Sequence, residues 1–152
     1  MGAGKTSLSV NLAAENNAVL ISEDDWLSQI YTNQISDFND YLKCSRQIKP
    51  LVKNLVQNIL CTGTNVVLDF PANTISQRDW FRSLFSEVKA PHEMIYLEAS
   101  NEICLARIAK RKIEQPDRAP FDTEEVFLQV TQYFEEPKEA EKLNVRKIEI
   151  RT

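Results

Sequence analysis

Met1-Gly2-Ala3-Gly4-Lys5-Thr6-Ser7 opens the chain, and the reading of this stretch decides the fold. Gly4, Lys5 and Thr6 fill the last three defined positions of a G-x-x-x-x-G-K-[ST] phosphate-binding loop, whose first glycine would fall two residues before Met1. In such a loop Gly2 and Gly4 let backbone N–H groups approach phosphate oxygens, and the helix behind adds the partial positive charge of its N-terminus. Ala3 and Ser7 complete the cradle. Lys5 would reach the β- and γ-phosphates as a catalytic cation, and the Thr6 hydroxyl would bind Mg²⁺. The competing reading is a helix that happens to begin with small residues.

The rest of the chain alternates short apolar runs with helical segments. Lys5 to about Asn16 has good helix formers and an apolar stripe at Leu8, Leu12 and Ala13. Ala18-Val19-Leu20-Ile21 suits a strand buried on both faces. Ser22-Glu23-Asp24-Asp25 follows, and Trp26 to Tyr31 reads as a short helix. Ser36 to Cys61 is helical, with Pro50 expected to start a second helix and Gly63 to stop it. Asn65 to Phe70 is the second strand, ended by Pro71. Ser76 with Asp79 resembles a capping box, opening a helix with Trp80, Phe81, Leu84, Phe85 and Val88 on one arc. Met94 to Leu97 is a third strand, and Ser100 caps a helix to about Lys112. Ile113 to Phe121 reads as an exposed loop, Asp122 with Glu125 starts a helix through Phe134, and Val145 to Ile150 alternates like an edge strand. Strands alternating with helices imply parallel βαβ units, with ligand chemistry at the carboxyl ends of the strands.

Composition narrows the function classes. At 152 residues the chain suits one domain, residues 1–152, and 43% hydrophobic against 26% charged residues is the balance of a globular chain rather than a disordered one. Eighteen basic against 22 acidic residues give a net charge of −4, which argues against duplex nucleic acid as the main partner. No apolar run approaches the roughly 20 residues of a membrane helix, so no membrane partner is expected. Cys44, Cys61 and Cys104 form no C-x-x-C pair and His92 stands alone, which offers zinc little and fits a reduced, cytoplasmic protein.

Several side chains fall where phosphoryl transfer would need them. Asp69 ends the Val66-Val67-Leu68 run, the place of a Walker-B carboxylate that holds Mg²⁺ directly or through water; closing a strand with a polar residue is the alternative. Asp24 and Asp25 follow the first strand. One of them would cap the next helix, and we assign Asp25 to the cap and Asp24 to accepting the proton of a substrate hydroxyl. Arg78 and Arg82, and again Arg107 and Arg111, are spaced four apart, where like charges repel unless an anion lies between them. Arg107 and Arg111 are read as binding the nucleotide and stabilising transferring charge, Arg78 and Arg82 as substrate contacts; a solvated face paired with nearby acids is the alternative. Arg111 and Arg118 flank the proline-containing segment, which suits a lid over about 111–122. Asn73 and Thr74 follow the second strand and suit either substrate contact or a turn, and His92 is read as structural.

Taken together the chain resembles the bacterial P-loop ATP-binding proteins of the small-kinase type, the AAA-labelled relatives of zeta toxins, chloramphenicol phosphotransferases and gluconate- or shikimate-type kinases. The resemblance is carried by Gly4-Lys5-Thr6, Ile21 through Leu27, and Asp69-Phe70-Pro71-Ala72-Asn73-Thr74. It continues through Cys104-Leu105-Ala106-Arg107 with Arg111 and ends in Tyr133-Phe134-Glu135-Glu136-Pro137. It implies a three-layer α/β/α P-loop NTPase fold of the nucleoside-triphosphate kinase type, a mostly parallel sheet of order 2-3-1-4-5, ATP and Mg²⁺ as cofactors, and an arginine-bearing lid. The chain departs from that pattern in lacking the strand before the loop, the first and central one, and in lacking a glycine and a histidine in the lid.

Three functions compete. The first is a kinase moving the γ-phosphoryl group of ATP to a small-molecule hydroxyl. The second is a nucleotide-dependent switch or ATPase without such an acceptor, and the third an inactive member shortened at its N-terminus. A regulatory GTPase is disfavoured because no Asn-Lys-x-Asp run is present.

Overall fold

A computed structural model of the protein describes residues 1–116, 119 and 121–151; Arg118 lies outside the described residues, as do positions 117 and 120 of the segment read as a lid. The chain is α/β, with four strands, all paired parallel, and six α-helices among the described residues. Its residues group into two units. One comprises Thr6–Pro71 and Trp80–Pro91; the other comprises Met1–Lys5, Ala72–Asp79 and the chain from His92 on.

In the first unit β1 (Val19–Ser22) pairs with β2 (Val66–Asp69), in register from Val19 opposite Val66 to Ser22 opposite Asp69. Parallel neighbours need a long crossover. Here it consists of α2 (Glu23–Ile30) and α3 (Phe38–Cys61). The core of this unit is Ile21, Leu27, Ile48, Val52, Val56, Phe70 and Leu84, with Trp80 and Phe81 packed against it. Phe70, Trp80 and Phe81 form an aromatic cluster with the last two rings edge-on at 4.9 Å, the offset geometry that ring quadrupoles prefer.

In the second unit β3 (Met94–Glu98) pairs with β4 (Val145–Glu149), in register from Met94 opposite Val145 to Glu98 opposite Glu149. Helix α5 (Asn101–Glu114) is their crossover's first element, capped by the Ser100 side chain accepting from the Ile103 N–H at 3.3 Å. Cys104 and Ile108 of α5 pack on Phe127 of α6 (Glu124–Thr131), with Met1, Ala3 and Leu105 around them. Among the described residues the strands thus form two two-stranded sheets, where the resemblance implies one sheet of order 2-3-1-4-5.

Four local expectations are corrected. Helix α3 runs unbroken through Pro50 instead of restarting there. The ring removes one hydrogen bond, to the Arg46 carbonyl, but Pro50 faces solvent, where water can serve that oxygen. Burial of Cys44, Ile48, Val52 and Val56 on the other face holds both halves to one axis. Helix α2 begins at Glu23, so Asp25 lies inside the first turn and Ser22 holds the N-cap position, making no side-chain capping bond. The box that opens α4 (Ile75–Ser86) is Thr74 with Gln77, not Ser76 with Asp79. Thr74 Oγ1 accepts from the Gln77 N–H at 3.2 Å, and Gln77 Oε1 accepts from the Asn73 and Thr74 N–H groups. Helix α6 is capped by Thr123 and stops at Thr131, leaving Asp122 for another partner.

No helix among the described residues is long and apolar enough to cross a membrane. Because Pro50 lies in an exposed helix interior, Pro50→Ala is expected to raise unfolding stability by about 2 kcal/mol, the interior proline cost less the added unfolded-state entropy. Urea unfolding of the two chains measures it.

Candidate functional site

The N-terminal loop has the backbone of a phosphate cradle. Gly2 and Gly4 sit at φ +75° and +96°, which side-chain-bearing residues rarely adopt, and α1 (Lys5–Glu15) starts directly behind them. Gly2 is required on space as well: a Cβ there would lie 2.5 Å from the Cys104 carbonyl oxygen. Arg107 Nη1 donates to the Ala3 carbonyl at 3.0 Å and would stand 3.2 Å from a Cβ on Gly4. The sequence-predicted pair of loop and Arg107 is thus brought together within one unit. Lys5, Thr6 and Ser7 are exposed in the first turn of α1, whose leading N–H groups have no intrahelical acceptor. A loop without a Cβ at Gly2, opening a helix beside a guanidinium, fits a phosphate chain.

The carboxylates lie in the other unit. Asp69 closes β2 with 2% of its surface exposed, opposite Ser22, whose Oγ is 3.5 Å from Asp69 Oδ2. An oxygen-only donor set of this kind suits a hard cation such as Mg²⁺. Glu23, 1% exposed, is held by Tyr41 Oη and Ser45 Oγ, each donating at 2.5 Å. These two hydroxyls pin the first turn of α2 to α3, while Asp24 and Asp25 on the same turn stay exposed. Asp24 is therefore presented to solvent on a fixed helix start, as a proton acceptor must be to meet a substrate.

The remaining arginines have different fates. Arg78 is 1% exposed, and its Nε and Nη2 donate to the two Glu141 oxygens at 2.6 and 3.0 Å. Its Nη1 donates to the Ala72 carbonyl at 3.0 Å and the Glu135 carbonyl at 2.8 Å. The guanidinium read as a substrate contact is engaged by protein on every nitrogen. Beside it the Asn73 backbone is held from both sides, its N–H by Gln77 and its carbonyl by the Glu135 N–H at 2.8 Å. The Asn73 side-chain amide makes no hydrogen bond among the described residues, and Arg82 is exposed on α4. Arg111 pairs with Asp122 through Nε at 2.7 Å and Nη2 at 2.5 Å. His92 accepts the Asn144 N–H at 2.9 Å and holds the approach to β4, the structural role expected of it.

Sequence reasoning does not single out Glu23, Asp122 or Glu141. Their partners lie 18 and 22, 11, and 63 residues away. The partners sit on different elements, so no helical or strand period within one element links them. The only local hint is that Asp122 and Thr123 compete for one cap, which frees one of them.

The AAA domain family matches residues 1–137. No curated protein matches the chain by sequence. Among solved structures, the crystal structure of a candidate kinase from Chloroflexus aurantiacus J-10-fl is similar over 97% of this chain and 82% of its own, with TM-score 0.71 and 18% identity. At that identity the likeness speaks for the fold.

Three outcomes follow for the packing around the site. Gly2→Ala should disrupt the loop and reduce phosphate binding more than Gly63→Ala, whose added Cβ would meet nothing within 4 Å, as phosphate titration of both variants can show. The Arg78 guanidinium holds the Glu141 carboxyl below the ordinary glutamate value of 4.5. A depressed folded value contributes stability above pH 4.5 that is lost as pH falls through the lower, folded value. The stability gap between wild type and Glu141→Gln should accordingly be constant near neutrality and shrink on acidification. Arg78→Ala, which leaves that buried charge uncompensated, should cost about 3–5 kcal/mol in denaturant unfolding at pH 7. By the match over residues 1–137, the chain belongs to the AAA domain family of P-loop NTPases.

Proposed function

We propose that the protein binds ATP with Mg²⁺ and transfers the γ-phosphoryl group to the hydroxyl of a small molecule. The observation that carries the reading is the glycine loop, with Gly2 and Gly4 at positive φ, no room for a Cβ at Gly2, and Lys5 opening the helix behind. Backbone N–H groups of Gly2, Ala3, Gly4 and the first turn of α1, Ser7 included, take the phosphate oxygens, and Lys5 takes the β- and γ-phosphates. Thr6 and Asp69 are the residues that would hold Mg²⁺, which when bound neutralises charge on the phosphate oxygens.

Asp24 accepts the proton as the substrate oxygen bonds to the γ-phosphorus, and the bond from that phosphorus to the bridging oxygen breaks to release ADP. Arg107 and Arg111 stabilise charge on the transferring group. Asn73, with its side-chain amide uncommitted, and the exposed Arg82 contact the acceptor, and Arg78 serves by holding the Asn73 turn. The finer kinship to zeta toxins and small-molecule kinases rests on the strand-end and arginine motifs quoted above. A cytoplasmic place, with Cys44, Cys61 and Cys104 kept as thiols, is part of this reading.

Calorimetric titration with ATP and Mg²⁺ tests the grip: wild type should bind, and Lys5→Ala should bind about 10- to 100-fold more weakly, the loss of a charge-assisted hydrogen bond. Absence of heat for wild type sinks the reading. ADP release measured across sugars, nucleosides and antibiotics tests the transfer. Asp24→Asn should leave ATP binding intact and slow the acceptor-dependent rate by about 100-fold or more. ATP binding with no acceptor raising turnover favours a nucleotide switch instead.

A further inference from the structure

Two arginine–carboxylate pairs in the same unit have the same fork geometry and differ in what they leave over. Arg78 is buried, and all three of its nitrogens donate to protein. Arg111 uses only its Nε and Nη2 edge, donating to Asp122 Oδ2 at 2.7 Å and Oδ1 at 2.5 Å. Its Nη1, with two N–H donors, makes no hydrogen bond among the described residues.

Burial is asymmetric in the same sense. The Asp122 side chain is 0% exposed and that of Arg111 31%. A two-point grip by a buried, immobile carboxylate fixes the plane of a guanidinium as well as its position. Helix capping does not account for the buried acid, because Thr123 caps α6, accepting from the Val126 N–H at 3.2 Å. The helix face that carries Arg111 is also the one beside the phosphate loop. Arg107, one turn earlier on the same face of α5, already touches the phosphate loop at the Ala3 carbonyl.

We propose that Asp122 is a positioning residue: its buried carboxylate holds Arg111 by one edge so that the Nη1 edge is presented to the terminal phosphate of bound ATP. The inference rests on the ATP reading above and adds to it a residue, a contact and a preference. A guanidinium held for the terminal phosphate separates ATP from ADP. An Arg111 free to rotate in solvent would do so less well, because the ordering cost would then fall on binding.

The test is a set of affinities for MgATP and MgADP, measured by calorimetry on wild type, Asp122→Asn, Asp122→Glu, Arg111→Ala and the Arg111→Ala/Asp122→Asn double variant. The double variant removes both charges and so leaves no buried acid uncompensated. Asp122→Asn should weaken MgATP about 10-fold with MgADP nearly unchanged, the loss of one well-placed charge-assisted hydrogen bond. Asp122→Glu should restore part of the preference. The double variant should bind MgATP no more weakly than Arg111→Ala alone, since residues acting through one contact are not additive.

Equal weakening of both nucleotides by Asp122→Asn, or additive losses in the double variant, would show that Asp122 only supports the fold and overturn the proposal. If Asp122→Asn does not fold, the comparison of Asp122→Glu with wild type decides the same question through the ratio of the two affinities. Wild type that binds neither nucleotide overturns the ATP reading itself and this inference with it, an outcome distinct from a wild type that binds both while the ratio is indifferent to Asp122.

Discussion

One buried guanidinium organises the segment behind β2. Arg78 donates four hydrogen bonds, two to Glu141 and one each to the carbonyls of Ala72 and Glu135, and thereby ties the turn at 72–74 to the chain at 135–141. Removing two charges from water costs several kcal/mol per ion, so the pair's value lies less in net stability than in the single arrangement it tolerates. Any other placement of these segments would strand a buried charge. The Asn73 backbone, clamped between Gln77 and Glu135, inherits that rigidity.

The same side-chain chemistry is set to three uses. Arg78 is a staple, Arg107 rests on the phosphate loop, and Arg111 is gripped by one edge. What separates them is how many of the five donors the protein itself consumes. The carboxylates show a parallel gradient: Glu23 and Asp69 are buried at the strand ends, whereas Asp24, one residue past Glu23, is exposed. A buried acid fixes geometry or holds a cation, and an exposed one on a fixed helix turn can meet a substrate.

The glycine loop shows why short-range reading works at the N-terminus. Positive φ and the missing Cβ are properties of glycine itself, so Gly2 and Gly4 announce the turn in the sequence. Strand identity is equally local, since the apolar runs at 18–21, 65–70 and 94–97 are short and bounded by turn residues. Burial is not: β1 leaves Val19 exposed, where burial on both faces is expected, and β3 is half-buried throughout. Helix limits are less local. Pro50 reads as a boundary because its ring removes a hydrogen bond, yet burial along one face of α3 outweighs that loss. The capping assignments at 74–79 and 122–125 miss by one or two positions because several polar residues in a row can each cap, and packing selects among them.

The sequence by itself determined the α/β class, the parallel pairing and the phosphate loop, because periodicity, glycine stereochemistry and strand-end polarity are written in neighbouring residues. It also marked Asp69, Arg107 and Arg111 as candidates, by their places at a strand end and on one helix face. Only the tertiary structure decided what each charge faces. Arg78 turns inward to Glu141 across 63 residues, Asp122 leaves its helix to hold Arg111, and Glu23 is buried under two hydroxyls of α3. The physical reason is that an ionised group must find a partner or water, and which of the two it finds depends on how distant segments pack.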